Sequence, residues 1–203
     1  MNKNILNKDQ LAVLPLLKPF MKDYYLAGGT AIALQIGHRK SIDFDMFSDK
    51  KINRSKIDNL LKEQIERVIV SNKEEYTLII KGVKVTFLHY PFKTEISEKL
   101  GNYCRMPGLL DLAAMKAYTI GKRTEIKDYV DLYFLIKGHF QITEVEKRAT
   151  EIFGTIFSPK LFRSQLIYFD DLDFSQKIDY IGQNTTHDEL EGFLIKSVSD
   201  SFV

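Results

Sequence analysis

The sequence predicts an α+β (α/β) chain: a mixed sheet with flanking helices in the first half, followed by a mostly helical second half. Strand-like runs interleave with helical ones up to about residue 95. From Pro107 onward the apolar spacing becomes that of helices. The 203 residues, 44% hydrophobic and 28% charged, are those of an ordinary globular chain able to bury a core without disulfides. Two regions are therefore expected, an α/β core over residues 1–95 and a helical region over 96–203.

In order, residues 9–22 carry helix-spaced apolar positions, with Pro15 and Pro19 limiting or kinking the helix. YYLA (24–27) reads as a short buried strand that ends at Gly28-Gly29. TAIALQIG follows as a helix of good formers closed by Gly37. IDFDMF (42–47) alternates apolar and acidic residues, a strand pattern that puts Ile42, Phe44 and Met46 on one face and Asp43 and Asp45 on the other. An amphipathic helix is expected over 53–67. The strands RVIVS (67–71), YTLIIK (76–81) and VKVTFLHY (83–90) come next, the last two joined through Lys81-Gly82 as a hairpin. Helices are expected over 108–122, 126–137, 143–153 and 187–199.

Composition excludes several classes. One cysteine, Cys104, allows no intrachain disulfide and is read as structural or incidental, with the cytoplasm as the expected compartment. The N-terminus has no long apolar run and no stretch is apolar enough for a membrane span, so no membrane partner is expected. The net charge of +2 does not by itself identify a nucleic-acid binder, although His38-Arg39-Lys40 and Lys50, Lys51, Arg54 and Lys56 form local basic clusters. The four histidines show no zinc-ligand spacing, and neither G-x-S-x-G nor a P-loop occurs.

The chemistry concentrates in LAGGTAIALQIGHRKSIDFDMF, residues 26–47. Paired carboxylates on one strand face repel each other unless a multivalent cation lies between them, and Mg²⁺ takes one or two carboxylates plus substrate phosphate. Asp43 and Asp45 are thus candidate metal ligands, although an exposed amphipathic strand produces D-x-D by chance. Gly28 and Gly29, between a strand and a helix, let the backbone approach an anion, and the free N–H groups of the helix point at the same spot. Thr30 could cap that helix or bind a phosphate oxygen. A phosphate cradle and an acidic strand joined by one helix are much harder to obtain by accident than either alone.

In the second half, Lys116 falls within the apolar stripe Leu109, Leu112, Ala113, Ala117 and Ile120, and Asp131 interrupts an otherwise apolar helix. A buried lone charge is expensive, so each needs a partner. An ion pair between two packed helices is one solution, and a bound phosphate for Lys116 is another.

GGT…HRKSIDFDMF resembles the signature of the polymerase-β-type nucleotidyltransferase superfamily. Together with DLAAMKAYTIGKRTEIKDYVDLYFL (111–135), it is similar to the AbiEii-type toxins of abortive-infection and toxin–antitoxin systems. The resemblance implies a nucleotidyltransferase fold with a helical region that completes the active site. It implies Asp43 and Asp45 as catalytic metal ligands, Lys116 on nucleotide phosphates, and Asp131 completing the site. It also implies Ser41 and Thr30 at phosphate or metal-bound water, with Arg39 neutralising charge. Arg123, Lys127 and Asp128 lie in the matched block with less defined roles, and Asp128 could equally cap its helix. Many superfamily members carry a third carboxylate on a later strand, where this chain has Thr86 or His89.

The expected activity is Mg²⁺-dependent transfer of a nucleoside monophosphate from an NTP, with release of pyrophosphate. The 3′ end of tRNA is the acceptor the resemblance suggests, and an antitoxin encoded nearby is the expected partner. The alternatives are a protein or an aminoglycoside-like small molecule as acceptor, or a non-catalytic nucleotide-binding module.

Overall fold

A computed structural model describes residues 1–201. The chain divides into two compact units, the first Met1–Gly108 and the second beginning at Leu109. The helical region anticipated from residue 96 onward thus begins with a small hairpin that belongs to the first unit.

The first unit is built on a five-stranded mixed sheet in the order β1-β2-β5-β4-β3. The strands are β1 (Tyr25–Ala27), β2 (Phe44–Ser48), β3 (Ile65–Ser71), β4 (Glu75–Ile80) and β5 (Val83–His89). Three helices accompany them, α1 (Lys8–Leu17), α2 (Gly28–Ile36) and α3 (Arg54–Leu61), and β6 (Glu98–Leu100) pairs with β7 (Cys104–Met106) in the separate hairpin. β2 lies antiparallel to β1 and parallel to β5, and β4 is antiparallel to both β5 and β3. Lys81 and Gly82, at φ 50° and 72°, make the tight turn between β4 and β5.

Period-two patterning gives the sheet two unlike faces. Phe44, Met46, Val85, Phe87, Leu78 and Ile80 are fully buried, and Phe20 and Tyr24 meet Phe87 edge-to-face at 5.0 and 5.1 Å. The opposite face carries Asp45, Thr86 and Thr77 in adjacent register. Ile42 departs from the expected alternation: β2 begins at Phe44, and Ile42, lying before it, is 61% exposed. The helix anticipated over 53–67 stops at Leu61, because residues from Ile65 onward pair with β4 instead. Strand hydrogen bonds there outweigh the helical spacing of Ile57, Leu61 and Ile65.

Among the described residues of the second unit there are five α-helices: α4 (Leu109–Thr119), α5 (Ile126–Gly138), α6 (Ile142–Phe153), α7 (Pro159–Leu166) and α8 (His187–Asp200). Capping boxes at Gln141/Glu144 and Thr186/Glu189 start α6 and α8. Ser158 and Pro159 start α7, a helix not anticipated from sequence, whose signal is only two turns long. Leu112, Ala113, Leu132, Leu135, Val145, Ala149, Leu166 and Leu194 fill the core. Ion pairs tie the helices across it: Asp111 of α4 holds Arg148 of α6 at 2.6 and 3.0 Å, and Glu146 of α6 holds Arg163 of α7 at 2.5 and 2.6 Å.

Candidate functional site

In the first unit the register of β1 against β2 builds the site. Ala27 is opposite Asp45, so the next residue, Gly28, passes directly against the Asp45 carboxylate. A Cβ there would lie 2.5 Å from Asp45 Oδ2, and the φ of +66° is itself one that favours glycine. Gly29 follows under the Arg39 guanidinium. Its Cβ would collide with Arg39 Nη2 and lie 3.3 Å from Ser41 Oγ. The two glycines therefore bring the first turn of α2 between an acid on one side and a guanidinium and hydroxyl on the other. The N-cap of α2 is Ala27, which has no capping side chain. The leading N–H groups of the helix thus have no side-chain acceptor at the cap.

Thr30 is not the cap. It is 1% exposed, and its hydroxyl hydrogen-bonds the backbone carbonyl of Asp43 and, at 2.8 Å, Ser41 Oγ. It locks α2 to the chain entering β2. The intervening loop is held from two further sides. Buried Gln10 of α1 donates to the Ser41 carbonyl at 2.8 Å. The Asn2 side chain donates to the Gln35 carbonyl at 3.1 Å, closing the C-terminus of α2, and Gly37 turns left-handed at φ 70°. Arg39 is buried and donates to the Lys40 carbonyl at 3.0 Å.

Asp43 and Asp45 both project from the half-exposed face. Asp43 Oδ2 is 2.8 Å from Lys84 Nζ, with the two side chains 34% and 43% exposed. Sequence reading missed Lys84, whose proximity depends on parallel β2–β5 pairing. Thr86 stands directly beside Asp45, in the position considered for a third carboxylate, and is hydrogen-bonded to Thr77 at 3.2 Å. His89 is level with Ser48 and pairs with Glu74 at 2.6 Å. Cys104 is buried, and desolvation pushes its thiol up to about 12, so it is not a ready nucleophile.

The second unit gathers the remaining site candidates into a buried charge cluster. Lys116 Nζ of α4 lies 2.5 Å from Asp128 Oδ1 and 2.8 Å from Asp131 Oδ2, both on α5. Asp128 also receives Arg123 Nε at 2.7 Å and Nη2 at 2.9 Å. The Lys116, Asp128 and Asp131 side chains are all at most 6% exposed. Asp128 is not a helix cap: Glu125 holds that position, and the Asp128 carboxylate is turned to its two cations. Burial alone would raise its pKa, but Lys116 and Arg123 outweigh that and hold it below the usual 3.8. Lys127 is an exposed residue of the first turn of α5.

The family model for the nucleotidyl transferase AbiEii toxin of type IV toxin–antitoxin systems matches residues 16–196. The chain belongs to the AbiEii nucleotidyltransferase toxin family. It is 33% identical over 158 residues to the protein aq_aa25 of Aquifex aeolicus (strain VF5), covering 73% of this chain and 75% of that one. Its fold is similar to JHP933 from Helicobacter pylori, with a TM-score of 0.59 at 19% identity over 96% of this chain and 92% of that one. It is also similar to MenT4, a nucleotidyltransferase toxin of Mycobacterium tuberculosis H37Rv, with a TM-score of 0.61 at 13% identity over 93% and 81% of the two chains.

Membership makes this AbiEii-family chain a nucleotidyltransferase, with a nucleotide as substrate and an antitoxin as partner. No helix among the described residues is long and apolar enough to cross a membrane. Nucleotidyltransferases generally use divalent metal ions, and the acid pair fits one. The carboxylates of Asp43 and Asp45 are hard oxygen donors on one partly open face, and the lack of a Cβ at Gly28 lets the first turn of α2 pack directly against Asp45. Among the described residues no group of three or more His, Cys, Asp or Glu could hold a metal. Two carboxylates with the remaining positions left to water and phosphate are the coordination Mg²⁺ commonly accepts.

Proposed function

We propose that the chain transfers a nucleoside monophosphate from a Mg²⁺-bound NTP to the 3′ end of tRNA, releasing pyrophosphate, as the toxin of a toxin–antitoxin or abortive-infection pair. The observation that supports this most is the meeting of Gly28, Gly29, Arg39, Ser41 and Asp45 at one helix–strand junction. A helix N-terminus and a guanidinium favour the negative charge of a polyphosphate. The Asp45 carboxylate beside Gly28, with Asp43 two residues earlier, favours the opposite charge, and a metal–nucleotide carries both.

In this reading the first-turn amides at Gly28, Gly29 and Thr30 receive the phosphates. Ser41 donates to a phosphate oxygen, and Arg39 offsets the charge that grows on the leaving pyrophosphate. Thr30 serves mainly through its hydroxyl as a brace for Ser41 and Asp43. Asp43 and Asp45 would hold the Mg²⁺, which when bound would supply Lewis-acid polarisation of phosphoryl oxygens. Within the second unit, Asp128 and Asp131 fix the direction of the Lys116 ammonium, and the family resemblance implies nucleotide phosphate as its further partner. Phosphoryl-type chemistry asks mainly for positioning and electrostatics, which this residue set is suited to give.

The test is incubation of the purified protein with each labelled NTP, Mg²⁺ and total tRNA, beside Asp43→Ala. Label entering tRNA only with the intact protein is the expected result. Label entering protein or an aminoglycoside but not tRNA would reassign the acceptor. Binding of Mg·NTP with no transfer to any of them would favour a non-catalytic module. MgCl₂-free reactions with chelator should show no transfer, and tRNA binding should weaken steeply with added salt.

A further inference from the structure

Lys84 touches the acid pair at Asp43, and neither the motif nor the family resemblance singles it out. Parallel pairing places Phe44 level with Val85 and Asp45 level with Thr86. The preceding residues, Asp43 and Lys84, are therefore carried forward side by side, and the Lys84 ammonium reaches Asp43 Oδ2 at 2.8 Å. Val85 is buried in the core while Lys84 and Thr86 stand on the other face with Asp45. The same strand thus offers the acid pair a neutral hydroxyl at Thr86 and a cation at Lys84, where a carboxylate would have deepened the negative charge.

We propose that Lys84 is a resident cation that occupies Asp43 in the free protein, so that the site takes its divalent metal together with the nucleotide rather than alone. The Lys84 ammonium offsets one of the two carboxylates, and the Arg39 guanidinium at the same junction lowers the negative charge further, which makes a poor trap for a free divalent ion that must first displace the ammonium. A metal–triphosphate meets the same site differently. Its phosphate oxygens would give the displaced Lys84 a new partner and leave Asp43 to hold the metal. The pair is half-exposed, so the exchange costs little, and an ammonium on a flexible stem can move without disturbing β5. This assignment of Lys84 as a positioning residue rests on Asp43 and Asp45 being the metal-holding strand.

The test is titration of the whole protein with Mn²⁺, followed by electron paramagnetic resonance of the free ion, with and without a non-hydrolysable NTP analogue. Lys84→Met keeps most of the stem and removes the charge. It should bind Mn²⁺ alone about five-fold more tightly than the natural protein, the scale of a partly screened ion pair. Lys84→Arg should restore the natural affinity. With the analogue present the gain should vanish or reverse, since Lys84 then assists phosphate. A gain in metal affinity is something a merely damaged fold does not produce. Free Mn²⁺ binding that is unchanged or weaker in Lys84→Met, or equally tightened in Lys84→Arg, overturns the proposal. Asp43→Ala separates the two levels. If it leaves Mn²⁺ binding intact both with and without analogue, the metal strand itself is misassigned and the role of Lys84 falls with it.

Discussion

In the first unit, Asp43 meets Lys84 at the surface, with 34% and 43% of the two side chains open to solvent. In the second, Lys116 meets Asp128 and Asp131 where at most 6% of any of the three is open. The ion-pair distances are nearly the same, yet the physical consequences are opposite. Solvent-screened charges exchange partners cheaply, and removing one leaves the other to water. Buried charges stay fixed, and removing one strands its partner in a medium that cannot solvate it. A site that binds and releases a charged ligand suits the first arrangement, and the second suits a rigid platform that aims one ammonium.

The largest effect should come from breaking the buried cluster. Asp131→Ala leaves Lys116 with one carboxylate fewer in a closed environment, and should destabilise the protein by about 3–5 kcal/mol in denaturant titration. A loss below ~1 kcal/mol would mean that the cluster is hydrated and that the contrast with the first unit is unfounded. Next comes Gly28→Ala. Its φ of +66° and a Cβ 2.5 Å from Asp45 Oδ2 force either strain or displacement of the acid. The expected cost is roughly 1–2 kcal/mol together with loss of nucleotide transfer, read by melting and by labelled-NTP assay.

Acid should weaken the second unit through Asp128. Its folded pKa is held below the reference 3.8, so its charge contributes stability that is present above pH 3.8 and lost as pH falls through the lower folded value. The stability gap between the natural protein and Asp128→Asn should therefore be wide at pH 7, begin to shrink near pH 3.8 and close as the pH falls through the lower folded value. A gap independent of pH would contradict the ion-pair origin. The smallest effect belongs to Lys84→Met, whose stability should stay within ~1 kcal/mol of the natural protein, because its pair with Asp43 is half-exposed.

Local chemistry made much of this legible from sequence. The alternation at Phe44, Asp45 and Met46, the positive-φ turn at Lys81-Gly82, and the need for Gly28 and Gly29 beside a helix all follow from a few consecutive residues. So does the misfit of Lys116 and Asp131 within apolar helices, which the structure resolves as an ion pair. What stayed hidden depends on non-local register. Lys84 becomes the neighbour of Asp43 only when β2 and β5 run parallel, and Gln10 reaches Ser41 only when α1 packs beneath the loop. The same holds for Asp111–Arg148 and Glu146–Arg163, which look like ordinary surface charge until the helices assemble. Local pattern misled at Ile65, whose helical spacing lost to pairing with β4, and at Asp128, whose first-turn position suggested a cap while Lys116 and Arg123 claimed its carboxylate.

The most direct test of the acid pair as machinery rather than scaffold is Asp45→Asn, assayed side by side for melting temperature and for label transfer from NTP. The substitution keeps the shape beside Gly28 and removes the charge. Transfer should fall at least ~100-fold, the scale of losing a group that stabilises developing charge, with the melting temperature nearly unchanged. Full transfer by Asp45→Asn, or a loss of transfer matched by unfolding, would contradict it.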